Sequence, residues 1–81
     1  MAKIPTREES GRRILTIYKQ DGTRANEMIL FPSLHSRFID SQWRAVDFNA
    51  GLEWCIEKRF LRHDEQKAVV YFLTAEGFAS L

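Results

Sequence analysis

Cys55 is the only cysteine in this chain. That excludes an internal disulfide framework and fits a reducing compartment. No apolar run approaches the ~20 residues that a bilayer span requires. Residues 1–10 lack the apolar segment of a signal peptide, so a cytoplasmic location is expected. An excess of one charge is missing too: 12 Lys and Arg against 11 Asp and Glu leave +1, which gives no overall drive toward nucleic acid. No glycine-rich phosphate loop occurs. His35 and His63 lie in unrelated segments, and neither pairs with Cys55 at metal-ligand spacing. The acidic pairs Glu8-Glu9, Glu53/Glu57 and Asp64-Glu65 fall at a helix start, along one helix and at a turn tip. They read as solvated surface rather than as an acid–base dyad. No enzyme activity, cofactor or metal is expected.

What remains describes an ordinary globular chain. Its 81 residues suffice for one modest core and not for two. The 44% hydrophobic and 28% charged content is typical of a soluble fold. Residues 1–5 read as a flexible arm ending at Pro5, and residues 6–81 as a single domain. Lys and Arg outnumber Asp and Glu over the first 44 residues, and the balance reverses after them. The signs are interspersed throughout, the pattern of a solvated surface.

Thr6-Arg7-Glu8-Glu9 is a capping-box pattern, and a first helix should follow to about Lys19. Ile14, Ile17 and Tyr18 face inward, with Leu15 at the edge of the stripe. Gly11 inside it costs roughly 1 kcal/mol relative to alanine. Gln20-Asp21-Gly22 is a turn signal. Thr23 then caps a second helix carrying Ala25, Met28 and Ile29 on one face, which Pro32 shortens or breaks at Phe31. Phe31 to Val46 is the least patterned region. Leu34 and Phe38 share a helical face, and Asp40 or Ser41 starts a short turn through Trp43.

From Asp47 onward the pattern is clearer. Phe48, Gly51, Leu52, Cys55, Ile56 and Arg59 recur at three and four, so a helix capped by Asp47 buries Phe48, Leu52 and Ile56. Cys55 on that stripe is an inert core thiol. Leu61 and the β-branched, aromatic run Ala68 to Leu73 flank the polar segment His63 to Lys67, which is the pattern of a hairpin. Thr74 caps a last turn from which Phe78 and Leu81 fold back. The fold class is α+β and mainly helical.

The order helix, Gly22 turn, further helices, hairpin and Leu73-Thr74-x-x-Gly77 resembles a bacterial winged helix-turn-helix domain. Glu57-Lys58-Arg59-Phe60-Leu61 matches the passage from its third helix into the first wing strand. The resemblance implies a winged-helix-like three-helix core, a C-terminal hairpin wing and a short terminal helix. In it, Leu73 closes the core, Thr74 caps and Gly77 permits close packing. Relatives usually carry glycine where this chain has Arg59, because that residue takes a left-handed conformation. The distance from Thr23 to Leu61 is also longer than a compact helix-turn-helix needs.

The resemblance further implies double-stranded DNA as partner, bound by a regulator acting as a dimer. The third helix would enter the major groove, with Gln42, Arg44, Asn49 and Glu53 facing the bases. Arg62 and Lys67 would meet phosphates on the wing, and Arg24 and Arg37 on the second-helix side. Against this, Glu53, Glu57, Asp64 and Glu65 would repel phosphate. The alternative is a winged-helix interaction module that docks a protein through Trp43, Trp54 or a strand edge. Trp54 points about 200° from Leu52 at 100° per residue. Either it is an exposed interface residue, or the Phe31–Val46 segment covers it.

Overall fold

Thr6 opens the first helix as its sequence predicts. Its Oγ1 accepts the Glu9 N–H at 3.0 Å, and Glu9 Oε1 accepts the Thr6 N–H at 2.8 Å. This is the reciprocal capping box. The helix, α1, spans Arg7–Asp21 in the computed structural model, which describes residues 4–64 and 70–81. Ile14, Leu15, Ile17 and Tyr18 are buried. The helix ends on Gly22 at φ 76°. There the Gly22 N–H donates to the Lys19 carbonyl and the Thr23 N–H to the Tyr18 carbonyl, both at 3.1 Å, the paired bonds of a Schellman ending.

The expected second helix from Thr23 is not there. Thr23 is buried, and its Oγ1 donates to Asp21 Oδ2 at 3.2 Å. Asn26 takes a left-handed φ of 69°, and Met28–Leu30 form a strand, β1. Three apolar residues at helical spacing are too few to decide. The deciding bonds come from far along the chain: the Asn26 N–H donates to the Leu73 carbonyl at 2.6 Å and the Leu73 N–H to the Glu27 carbonyl at 2.8 Å. Pro32 likewise starts a helix rather than breaking one. In the first turn of α2 (Phe31–Phe38) its missing N–H has no helical acceptor to lose. Leu34 and Phe38 are fully buried on the inner face of α2. Asp40 makes the turn after it, with Oδ1 accepting the Gln42 N–H at 2.7 Å and the Trp43 N–H at 2.9 Å.

The long third helix, α3, spans Ala45–Glu57, so it starts two residues before the expected cap. Asp47 sits inside the first turn, and its Oδ2 accepts the Arg44 N–H at 3.0 Å. Phe48, Leu52 and Cys55 are buried as expected, but Ile56 is 41% exposed and Trp54 only 9%. At 100° per residue Trp54 and Ile56 flank the buried arc on opposite sides. Because α1 crosses on the Gly51 side, Trp54 is taken into the core and Ile56 is left out. Trp54 packs on Gly11 and Phe60, not under residues 31–46. The glycine that weakens α1 on propensity grounds is thus the seat of the tryptophan.

After α3 come β2 (Leu61–His63), β3 (Val70–Leu73) and α4 (Ala75–Ala79). The sheet is antiparallel in the order β1-β3-β2. Met28 and Arg62 both pair with Phe72, so these three side chains lie in one row on the outer face. The Tyr18 hydroxyl donates to the Tyr71 carbonyl at 2.9 Å, tying α1 to the sheet. Burial raises that phenol well above its ordinary range. Thr74 Oγ1 accepts the Gly77 N–H at 2.9 Å, Leu73 is fully buried, and Gly77 leaves no room for a side chain against Phe60. Leu81 packs against the core, but Phe78 stays 47% exposed, contrary to expectation. The protein is α+β and mainly helical. Among the described residues no helix is long and apolar enough to cross a membrane.

Candidate functional site

The surface is easiest to read by asking which cations already have a carboxylate. Arg7 pairs with Glu57, Arg12 with Glu8, Arg13 with Asp40, Arg37 with Asp21 and Arg44 with Asp47. Arg12 also lies 5.3 Å from the Trp54 ring, and Arg13 lies 4.9 Å from the Trp43 ring, so both cover aromatic core edges with their stems. Among the described residues, Lys19, Arg24, Lys58, Arg59 and Arg62 make no ion pair. Lys58, Arg59 and Arg62 all belong to the passage from α3 into β2.

That passage borders an open groove of about 380 Å³ lined by Ile56, Arg59, Leu61, Arg62, His63 and Thr74. The Arg62 guanidinium carbon lies 4.4 Å from the Phe72 ring. Stacking on the ring holds the cation in place and leaves its N–H edge available to an acceptor. The solvent-facing side of α3 runs along Val46, Asn49, Glu53 and Ile56, at intervals of three and four. Ile56 brings that face to the groove.

The sequence-derived candidates divide accordingly. Asn49 and Arg62 lie on this surface. Arg24 is exposed in the turn before β1, where its N–H donates to Glu27 Oε1 at 2.8 Å. Arg37 and Arg44 are exposed, and each is paired with a carboxylate, Asp21 and Asp47 respectively. Arg44 Nε and Nη2 lie 3.2 and 3.1 Å from the two oxygens of Asp47, so a DNA acceptor would compete with that carboxylate for the same N–H groups. Gln42 is exposed in the Asp40 turn, beside the groove of about 370 Å³ bordered by Ile4, Trp43 and Arg44. Lys67 lies outside the described residues. Trp43 is half-buried, edge-on to Phe38 at 5.4 Å. Trp54 is buried, which removes it as an exposed docking residue. Lys58 and Arg59, which are not among the sequence-derived candidates, stand beside Arg62 on this surface. The available signal was Arg59 itself, a cation standing where a helix ending favours glycine.

The Cys55 thiol donates to the Gly11 carbonyl at 3.4 Å, and burial pushes its pKa up to about 12. No group of three or more His, Cys, Asp or Glu is placed to hold a metal among the described residues. No family model, curated protein or solved structure matches the chain.

The carboxylates that set the start of α3 carry a pH dependence. Hydrogen bonds from the Arg44 side chain, then from its backbone, hold Asp47 below the usual carboxylate range. The Gln42 N–H does so first for Asp40, followed by Trp43 and Arg13. A carboxylate whose folded pKa is depressed contributes stability above its unfolded value, near 4, and loses it as pH falls through the folded value. Stability should therefore be flat from pH 7 to about 4 and decline below it. An Asp47→Asn variant should be less stable at pH 6 and show a shallower acid decline in denaturant titrations. Equal slopes for variant and wild type would remove Asp47 from this account.

Proposed function

We propose that this chain is a winged-helix module that binds double-stranded DNA, with Asn49 and the free face of α3 toward the major groove and the hairpin side against phosphates. The order α1-β1-α2-α3-β2-β3, with β1 joining the sheet beside β3, supports the winged-helix part. The observation that carries the DNA part is the segregation of charge. Arg59 and Arg62 line one groove beside the free face of α3, Lys58 precedes them in the chain, and none of the three has an ion-pair partner among the described residues, while five arginines elsewhere are paired; Glu53 on that face is the charge that opposes it. Phosphate contacts supply most sequence-independent affinity, and unpaired cations are the groups that make them. A chain doing this needs no catalytic residue or cofactor, and regulation of transcription in the cytoplasm of a bacterium is the role that fits it.

Duplex binding followed by fluorescence anisotropy tests the reading. With three phosphate contacts, affinity should fall roughly 40-fold between 50 and 200 mM salt, a log–log slope near −3. Lys58→Ala with Arg62→Gln should flatten that slope by about 2. Absence of salt-sensitive binding at 50 mM would defeat the proposal.

A second reading, a protein-docking module or homodimer, rests on the outer sheet face. Met28 and Leu30 on edge strand β1 are 45% and 47% exposed, beside half-buried Phe72. The same titration separates the two, since an apolar contact holds or strengthens as salt rises.

A further inference from the structure

Two helices of this chain end in the same hydrogen-bonded motif with different residues at its critical position. In α1 that position is Gly22, at φ 76°. In α3 it is Arg59, at φ 64°. The bonds correspond: the Arg59 N–H donates to the Ile56 carbonyl at 3.0 Å and the Phe60 N–H to the Cys55 carbonyl at 2.9 Å, again a Schellman ending. Its geometry is further fixed by the Thr74 hydroxyl, which lies 2.6 Å from the Arg59 carbonyl oxygen and 3.0 Å from that of Phe60. A side chain bearing Cβ is strained in this conformation and glycine is not.

Arg59 recovers little inside the fold. It is exposed and has no ion pair among the described residues, and Lys58 already places a cation at the same helix end. Its side chain borders the groove that Arg62 also lines. A strained backbone kept in place by its surroundings, carrying an unpaired cation into a groove, is better explained by an external anion than by stability.

We infer that Arg59 is a dedicated phosphate contact. Its left-handed backbone aims the guanidinium into the groove beside Arg62, where the two take oxygens of one DNA strand. The inference rests on the DNA-binding reading above and adds to it the residue whose placement costs the fold stability.

The experiment compares wild type, Arg59→Gly, Arg59→Lys and Lys19→Ala by thermal melting and duplex anisotropy. Melting is run in 0.5 M salt, where the attraction of a cation for the helix end is screened. Arg59→Gly should raise Tm by about 2–5 °C, weaken duplex binding roughly fivefold at 100 mM salt and reduce the salt slope by about 1. Arg59→Lys should keep most of the slope without the gain in Tm. Lys19→Ala removes the same charge from α1 and should leave affinity nearly unchanged. Arg59→Gly with a lower Tm, or with wild-type affinity and slope, would overturn the inference while leaving the DNA-binding reading intact. So would an equal loss in Lys19→Ala, since net charge alone would then explain the effect. Wild-type protein that fails to bind duplex at 50 mM overturns both, and that control identifies which has failed.

Discussion

Phe48→Ala should cost about 3–5 kcal/mol and bring the protein close to unfolding at room temperature. Phe48 is fully buried on α3. Edge-to-face contacts surround it: Phe31 at 5.5 Å, His35 at 4.9 Å and Phe38 at 5.2 Å between ring centroids. All three partners come from α2, so the ring is the main tie between α2 and α3. Removing it loses the transfer free energy of a large ring and three aromatic contacts, and leaves a cavity that rigid helices cannot close. Total stabilities of small domains run from about 5 to 15 kcal/mol, so one residue would carry a large share. Thermal melting by circular dichroism should show Tm lower by 15 °C or more. Phe48→Leu, which refills most of the volume, should recover over half of that. A loss below about 1 kcal/mol in Phe48→Ala would mean that α2 does not depend on this contact.

Gly51→Ala is the second large effect, and its sign decides between two forces. Alanine is the better helix former by about 1 kcal/mol, so on propensity alone the variant should be more stable. Packing opposes it. A Cβ at residue 51 would stand 2.7 Å from the Ser10 carbonyl carbon, 2.8 Å from its oxygen and 2.9 Å from the Gly11 nitrogen. These are backbone atoms of α1 and cannot rotate away, so the helices must separate. Separation would loosen Trp54 on Gly11 and lengthen the Cys55–Gly11 hydrogen bond. An overpacking cost at the upper end of 1–3 kcal/mol, less the propensity gain, leaves a net loss of about 2 kcal/mol and roughly 10 °C in Tm. A variant as stable as wild type would show that α1 and α3 can slide apart freely.

The crossing explains which parts of the fold the sequence made legible. The capping box of α1, the Phe48-Leu52-Cys55 stripe, and Leu73 followed by the Thr74 cap are local patterns, and they hold. What misled was decided by distant partners. Met28–Leu30 are extended because residues 70–72 pair with them, and nothing within five residues of Ile29 says so. Pro32 carries the same restriction at a helix end and a helix start, and only the neighbouring strand selects between them. Trp54 and Ile56 exchange places because α1 lies on the Gly51 side of α3.

The candidate site follows the same division. Arg37 and Arg44 have the right chemistry for a phosphate or a guanine, yet Asp21 and Asp47 occupy them. The Arg44–Asp47 pair is local, three residues apart, and was readable in principle. Arg37–Asp21 joins α2 to the end of α1 and was not. Arg59 was visible as an anomaly from sequence. The role proposed for it draws on its backbone angle and the groove beside it, which only the fold supplies.

The sheet's strand order has a consequence for how the chain is made. On the ribosome, residues 28–30 emerge early, but their hydrogen-bonding neighbour is the segment at 70–73. Until that segment clears the exit tunnel, Met28, Ile29 and Leu30 form a bare apolar stretch that could pair with another nascent chain. The two helices of the α1–α3 crossing lie before residue 58, so both leave the tunnel ahead of that partner.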